Sequence, residues 1–196
     1  MARRKAVSAR KTLETQIKLE LSLDGDGTLK TEGGVPFFNH MLQAMVKYAR
    51  FDVKLDQAGD LDVDAHHLVE DIGICLGKAL KDALGERKGM KRYGWSLVSM
   101  DDALVAASLD LCGRAYLCMD YEPIADRVGD FDVRLAREFL LAFTQHGGFV
   151  LHLAFLRGCN DHHMLEAGFK ALGWALREAV SLDGSSSLPS TKGKLD

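Results

Sequence analysis

Apolar and polar residues alternate with period two along Ile17-Lys-Leu-Glu-Leu-Ser-Leu23, which predicts a half-buried strand ending at the turn Asp24-Gly25. The short apolar runs Phe51-Asp-Val-Lys-Leu55 and Phe149-Val-Leu-His-Leu153 predict two further strands. In the second half, residues 95–100, 104–111 and 114–121 read as strands as well. Amphipathic stretches around 40–49 and 135–143 carry the 3.6-residue period of helices. Two longer apolar-periodic runs, IGICLGKAL and AGFKALGWAL, predict helices that start just upstream, at residues 66 and 162.

The order of these elements repeats. Phe51–Leu55 and Phe149–Leu153 lie 98 residues apart (51 to 149), and each is preceded by an amphipathic stretch and followed by a Gly-containing loop into a long helix. The unit is roughly strand, strand, helix, strand, loop, helix. Two such units predict an α+β fold made by tandem duplication, with sheets and helices packed about a pseudo-twofold axis. The expected boundaries are a first half at 6–92, a second at 93–182 and a C-terminal tail at 183–196. The tail segment DGSSSLPSTKGK is polar and rich in Gly, Ser and Pro, a composition that by itself favours disorder.

Composition narrows the class. A chain of 196 residues with 47% hydrophobic and 27% charged residues fits one globular domain. A net charge of −3 gives no general attraction to nucleic acid or to a membrane surface. No apolar run is long enough to cross a bilayer. MARRKAVSARK is basic but lacks the apolar core of a secretory signal. Cys75, Cys112, Cys118 and Cys159 follow no zinc-site or disulfide-framework spacing, so free thiols in a cytoplasmic protein are expected.

Chemistry concentrates at the starts of the two long helices. His66-His67-Leu68-Val69-Glu70 follows Asp64, and His162-His163-Met164-Leu165-Glu166 follows Asp161. Two copies of His-His-x-x-Glu in a chain with 7 histidines are hard to ascribe to chance. Helical spacing puts His66 with Glu70 and His162 with Glu166 on one face each, while His67 and His163 point about 100° away. Imidazole and carboxylate together suit two divalent metal ions. At the 98-residue offset His40 aligns with Glu138 (40 to 138), which gives eight candidate ligands: His40, His66, His67, Glu70, Glu138, His162, His163 and Glu166. Four per ion leaves open positions at an octahedral Mn or Fe, unlike a closed structural zinc.

These motifs, with others spread along the chain, resemble the imidazoleglycerol-phosphate dehydratase family. The likeness covers Arg10-Lys-Thr-Leu-Glu14-Thr, Phe38-Asn-His40-Met-Leu and Gly59-Asp-Leu-Asp-Val-Asp-Ala-His-His. It continues through Gly89-Met-Lys-Arg92-Tyr-Gly, Asp101-Asp-Ala-Leu, Gly113-Arg114-Ala-Tyr-Leu and Val128-Gly-Asp-Phe-Asp. It ends with Asn160-Asp-His-His-Met-Leu-Glu-Ala-Gly-Phe-Lys170 and Pro189-Ser-Thr-Lys192-Gly. The resemblance implies the duplicated fold of ribosomal protein S5 domain 2, two manganese ions per subunit, and a shell of twenty-four subunits with active sites between them. It implies one ion on His40, His67, His162 and Glu166 and the other on His66, Glu70, Glu138 and His163. The implied reaction is dehydration of imidazoleglycerol phosphate to imidazole acetol phosphate in histidine biosynthesis. There the metals favour the anionic imidazole, which expels the hydroxyl through a diazafulvene-like intermediate.

The resemblance implies Glu14 as the base or proton shuttle, with Glu166 and His67 also at the reacting centre. A phosphate dianion needs fixed charged donors, and the resemblance implies that Arg92, Arg114, Lys170, Ser190, Thr191 and Lys192 form the phosphate set. The tail would then order over substrate, when ligand or assembly is present. His146 is expected to face solvent, and His152, inside an apolar strand, to be a satisfied core histidine or a partner of a ligand. The chain departs from the family pattern at Asn39 and Gln43, where Asp is usual, at Tyr48 in place of His, at Cys112 in place of Ser and at Leu68 in place of Thr. Asn39, Gln43 and Tyr48 keep open the reading of a non-catalytic, metal-assembled shell protein, and the same ligands could instead activate water in a dinuclear metallohydrolase.

Overall fold

The computed structural model describes residues 4–195. The first half runs β1 (Lys5–Lys11), β2 (Thr15–Ser22), β3 (Thr28–Thr31), α1 (Pro36–Ala49), β4 (Asp52–Gly59) and α2 (His66–Leu84). The second runs β5 (Tyr93–Met100), β6 (Ala103–Asp110), β7 (Tyr116–Met119), a small β8 (Arg127–Val128) and β9 (Phe131–Asp132) hairpin, α3 (Leu135–Gly147), β10 (Val150–Arg157) and α4 (Asp161–Ala179). The sheets are ordered β1-β2-β4-β3 and β5-β6-β10-β7. In each, the third strand is parallel to its neighbour and the other pairings are antiparallel. Apart from the β8–β9 insertion the halves have one topology, which is the duplicated α+β fold that the hydropathy pattern predicts.

β1 and β3 escape the pattern. Of the β1 sequence KAVSARK, one residue is fully buried, so its alternation is faint. β3 is four residues long with none fully buried.

The inner sheet faces carry Ile17, Leu19, Leu21, Val53 and Leu55 in one half and Val105, Ala107, Leu109, Leu151 and Leu153 in the other, all nearly inaccessible to solvent. They join one continuous core with the helices. α2 packs on β1 and β2 and α4 on β5 and β6. The shorter helices cross between halves: α1 packs against α4, and α3 against α2. Each crossing depends on a glycine. A Cβ on Gly173 of α4 would sit 2.4 Å from the Met45 carbonyl oxygen of α1, and one on Gly77 of α2 would sit 2.7 Å from the Phe143 carbonyl oxygen of α3. Both glycines lie at the same place in their repeats, so the duplication carries the close approach as well as the strands.

Gly173→Ala is therefore expected to lower the melting temperature. Backbone overpacking costs about 1–3 kcal/mol, which outweighs the gain of about 1 kcal/mol in helix propensity. Thermal unfolding followed by circular dichroism measures this, and a variant melting at or above the parent would show that the helices have room to spare.

The candidate metal and anion sites

The crossing of α1 and α4 brings together residues 126 positions apart in sequence. The Asn160 side chain caps α4, accepting from the backbone N–H of His162 at 2.9 Å and of His163 at 3.4 Å, and so fixes where the helix begins. His162 and Glu166 then share a face, with His162 Nε2 3.2 Å from Glu166 Oε2. His40 on α1 places its own Nε2 3.2 Å from the same oxygen. The three donor atoms lie within 4.8 Å of one another. Burial pushes the Glu166 carboxyl up, but the Lys170 ammonium, 2.9 Å from Oε1, and His40 outweigh burial and hold it below the ordinary range. An ionised carboxylate beside two imidazoles is a donor set that fits a divalent first-row metal ion.

α2 and α3 repeat this arrangement in part. His66 Nε2 is 3.7 Å from Glu70 Oε2. Glu138 occupies on α3 the place that His40 has on α1, and its carboxylate lies 3.8 Å from Arg137 Nη1. The three are not a compact donor group among the described residues.

The second histidine of each motif is turned to another partner, because successive helical residues lie about 100° apart. His67 Nδ1 is 3.0 Å from Asp60 and 3.9 Å from Glu14, and these three form a second compact donor group. Asp60 raises the His67 pKa. His163 Nδ1 meets Asp102 at 2.6 Å. That contact, with the Cys159 backbone N–H, holds the Asp102 carboxyl far below its usual range. A single chain thus joins His40, His162 and Glu166 but adds neither His67 to them nor His163 to His66.

The phosphate candidates separate. Arg92, Arg114, Ser190, Thr191 and Lys192 line one cavity of about 510 Å³, with Tyr93 and Lys194. Arg92 takes a left-handed backbone conformation (φ 73°). It donates to Asp110 through Nε at 2.6 Å and Nη2 at 2.9 Å, and to the Pro189 carbonyl through Nη1 at 2.8 Å. A guanidinium has five N–H groups, so two remain for an anion. The same arginine ties down the tail, which is also held by the Gly89 N–H on the Ser187 carbonyl at 3.0 Å. Lys170 lies elsewhere, against Glu166 and the Tyr48 ring.

Several residues near the site escape the sequence reading. Asp60 and Asp102 stand among many acidic residues, and their contacts with His67 and His163 are made only by the fold. Asp161 accepts from the Tyr121 hydroxyl at 2.6 Å and from the N–H groups of Ile124 and Ala125, so it anchors a loop. Two histidine expectations are corrected. His152 is exposed on the outer sheet face, its ring 5.7 Å from that of Tyr116, because Leu151 and Leu153 take the inner face. His146 is partly buried, and that burial lowers its pKa.

Two of the departures from the family pattern, Asn39 and Tyr48, have local partners. Asn39 donates from Nδ2 to the Gly33 carbonyl at 2.7 Å and accepts from Gln57 at 3.1 Å. An ionised Asp could not make the first bond. Tyr48 packs its ring 5.9 Å from that of Trp174. All four cysteines are unpaired. Among the described residues, no helix is long and apolar enough to cross a membrane.

Fold and site define a duplicated α+β protein with imidazole–carboxylate donor groups and a separate cationic pocket. The sequence profile of imidazoleglycerol-phosphate dehydratase matches residues 33–176. The dehydratase of Pelotomaculum thermopropionicum is 47% identical over 195 residues, covering 100% of both chains. That of Moorella thermoacetica is 50% identical over 193 residues, covering 98% of each. The crystal structure of the Staphylococcus aureus enzyme superposes with a TM-score of 0.81 at 32% identity, over 90% of this chain and 99% of that one. The Pyrococcus furiosus structure gives 0.82 at 36%, over 95% and 99%. The chain belongs to the imidazoleglycerol-phosphate dehydratase family, a family of hydro-lyases.

Proposed function

We propose that this chain dehydrates imidazoleglycerol phosphate to imidazole acetol phosphate in histidine biosynthesis, as a cytoplasmic enzyme that depends on two divalent ions per subunit, with manganese the favoured metal. One observation carries the metal dependence: in a member of this family, His40, His162 and Glu166 converge from helices far apart in sequence. When bound, the metals act as Lewis acids that favour the anionic form of the substrate's imidazole ring.

The remaining work falls to the chain. Dehydration takes a proton from one carbon of the glycerol unit and a hydroxyl from its neighbour, and the enol so formed becomes the ketone. Glu14, with 55% of its side chain exposed and its carboxylate 3.9 Å from His67, is placed to move the proton. Arg92, Arg114, Ser190 and Lys192 hold the phosphate, and the tail, held by Arg92 and Gly89, covers it and excludes water. Ligands that point away from their own chain's donor group suit sites closed by a neighbouring subunit. His67 and His163 would complete the donor groups of other subunits in a shell of twenty-four.

The test is turnover. Purified protein supplied with manganese should convert imidazoleglycerol phosphate to the ketone. Folded, metal-loaded protein with no turnover would favour the non-catalytic shell reading. The assembly has its own check, because a chelator should shrink the particle seen by light scattering and manganese should restore it. Full size after chelation would mean that the metals do not join subunits.

A further inference from the structure

The two halves share a fold but differ in one buried cluster. In the first half Asp71 on α2, almost fully buried, accepts from Arg10 Nε at 2.6 Å and from the Thr15 hydroxyl at 2.5 Å. Strand pairing fixes the equivalent positions in the second half. Arg10 pairs with Ile17 in β1–β2, as Val98 pairs with Val105 in β5–β6. Thr15 opens β2 as Ala103 opens β6. Asp71 lies one turn beyond His67 as Ala167 lies one turn beyond His163. Arg10, Thr15 and Asp71 therefore correspond to Val98, Ala103 and Ala167. Ala103 and Ala167 are fully buried and Val98 packs on the core. The fold closes with an apolar trio at this place, so it does not require the polar one. Buried ion pairs contribute little net stability compared with apolar residues of similar fit, which leaves a role other than stability for the polar trio.

Its position gives that role. Glu14 and Thr15 are neighbours at the β1–β2 turn, while His67 and Asp71 are i, i+4 neighbours on one face of α2. Thr15 meets Asp71 and Glu14 faces His67, so the turn docks on two successive steps of the same helix face. The Thr12 hydroxyl holds the turn from the other side, accepting from the N–H groups of Glu14 at 3.1 Å and Thr15 at 2.9 Å. The second half fixes its turn differently. There Asp102 stands where Glu14 does, and both its oxygens are committed, one to His163 and one to the Cys159 N–H at 2.5 Å. In the first half Thr15 and Asp71 do the anchoring, and the Glu14 carboxylate is left at 3.9 Å from His67, beyond hydrogen-bond range.

We propose that Asp71, braced by Arg10 and acting through Thr15, is a positioning residue that anchors the β1–β2 turn so that the Glu14 carboxylate stays uncommitted and aimed at the reacting centre. This rests on the reading of Glu14 as the proton-moving group.

The test compares Thr15→Val, which keeps the shape and loses the hydroxyl, with Thr15→Ser, which keeps the hydroxyl. It adds the triple variant Arg10→Val, Thr15→Ala, Asp71→Ala, which imports the apolar trio of the second half. A displaced catalytic group costs on the order of 10²-fold, so kcat should fall about tenfold to a hundredfold in Thr15→Val and in the triple variant. KM and metal content should stay unchanged, and Thr15→Ser should remain near the parent. In a Glu14→Gln background Thr15→Val should add no further loss, because the two act as one unit. Equal kcat for the Val and Ser variants overturns the proposal, as does a full additional loss in the Glu14→Gln background. If the triple variant fails to fold, the Val and Ser pair still decides. A parent protein with no turnover removes the reading of Glu14, and with it this inference, whereas an active parent with an indifferent Thr15→Val removes this inference alone.

Discussion

Deleting residues 188–196 is expected to abolish turnover while leaving metal content and the folded core nearly unchanged. The deletion takes Ser190, Thr191 and Lys192 from the wall of the cationic cavity, and with them the carbonyl of Pro189 that receives Arg92. Arg92 keeps its two bonds to Asp110, so it stays folded against β6 but loses the partners that close the cavity. None of the described residues in the deleted segment is fully buried, and of its hydrophobics only Leu195 touches the core, so little stability goes with them. Lys192→Ala gives a graded form of the same result. A charge-assisted hydrogen bond contributes about 1.5–3 kcal/mol, so kcat/KM should fall about tenfold to a hundredfold. Steady-state kinetics with metal analysis on the same samples separates the outcomes, and a truncated protein working at the parental rate would reduce the tail to a passive end.

Glu14→Gln should lower kcat by about 10²- to 10⁴-fold, the range of general acid–base catalysis. Folding should hardly register the change. The side chain is half exposed, and the turn is held by Thr12, Thr15 and the Glu14 carbonyl, which accepts the Asp60 N–H at 3.1 Å. Metal content should match the parent, since neither of the ligand sets expected for the two ions includes Glu14. If kcat falls less than threefold, the proton is moved by another group, and Asp60, 3.0 Å from His67 Nδ1, is the next to substitute.

The duplication was legible because it rests on periodicity. Each long helix keeps its apolar stripe and each inner strand its alternation, so the order of elements and the 98-residue offset could be read directly. The pairing of His66 with Glu70 and of His162 with Glu166 was legible for the same reason, as helical geometry dictates it. What escaped depends on contacts between distant segments. Nothing local marks Asp60 or Asp102 as the partner of a histidine, and nothing in β1 shows that Arg10 will reach a buried Asp71. The choice of α4 as the partner of α1, and of α3 as the partner of α2, is likewise tertiary, and its mark in the sequence is one glycine each, Gly173 and Gly77, single letters in long helices. His152 lies outside because alternation within the apolar run puts Leu151 and Leu153 on the inner face and the residue between them on the outer one. The same turn that looks like an ordinary solvated hairpin in sequence is, in the fold, a place where the halves are anchored by different groups.

Metal dependence is the point at which the account is most exposed. Chelator-stripped protein should be titrated with manganese while turnover of imidazoleglycerol phosphate and bound metal are measured together. Activity should be absent from the stripped protein and rise until two ions are held per chain. His162→Ala, which removes one of the three converging donors, should bind less metal and stay inactive at the same concentration. Full turnover in the stripped protein, or activity that ignores how much metal is bound, would contradict the account.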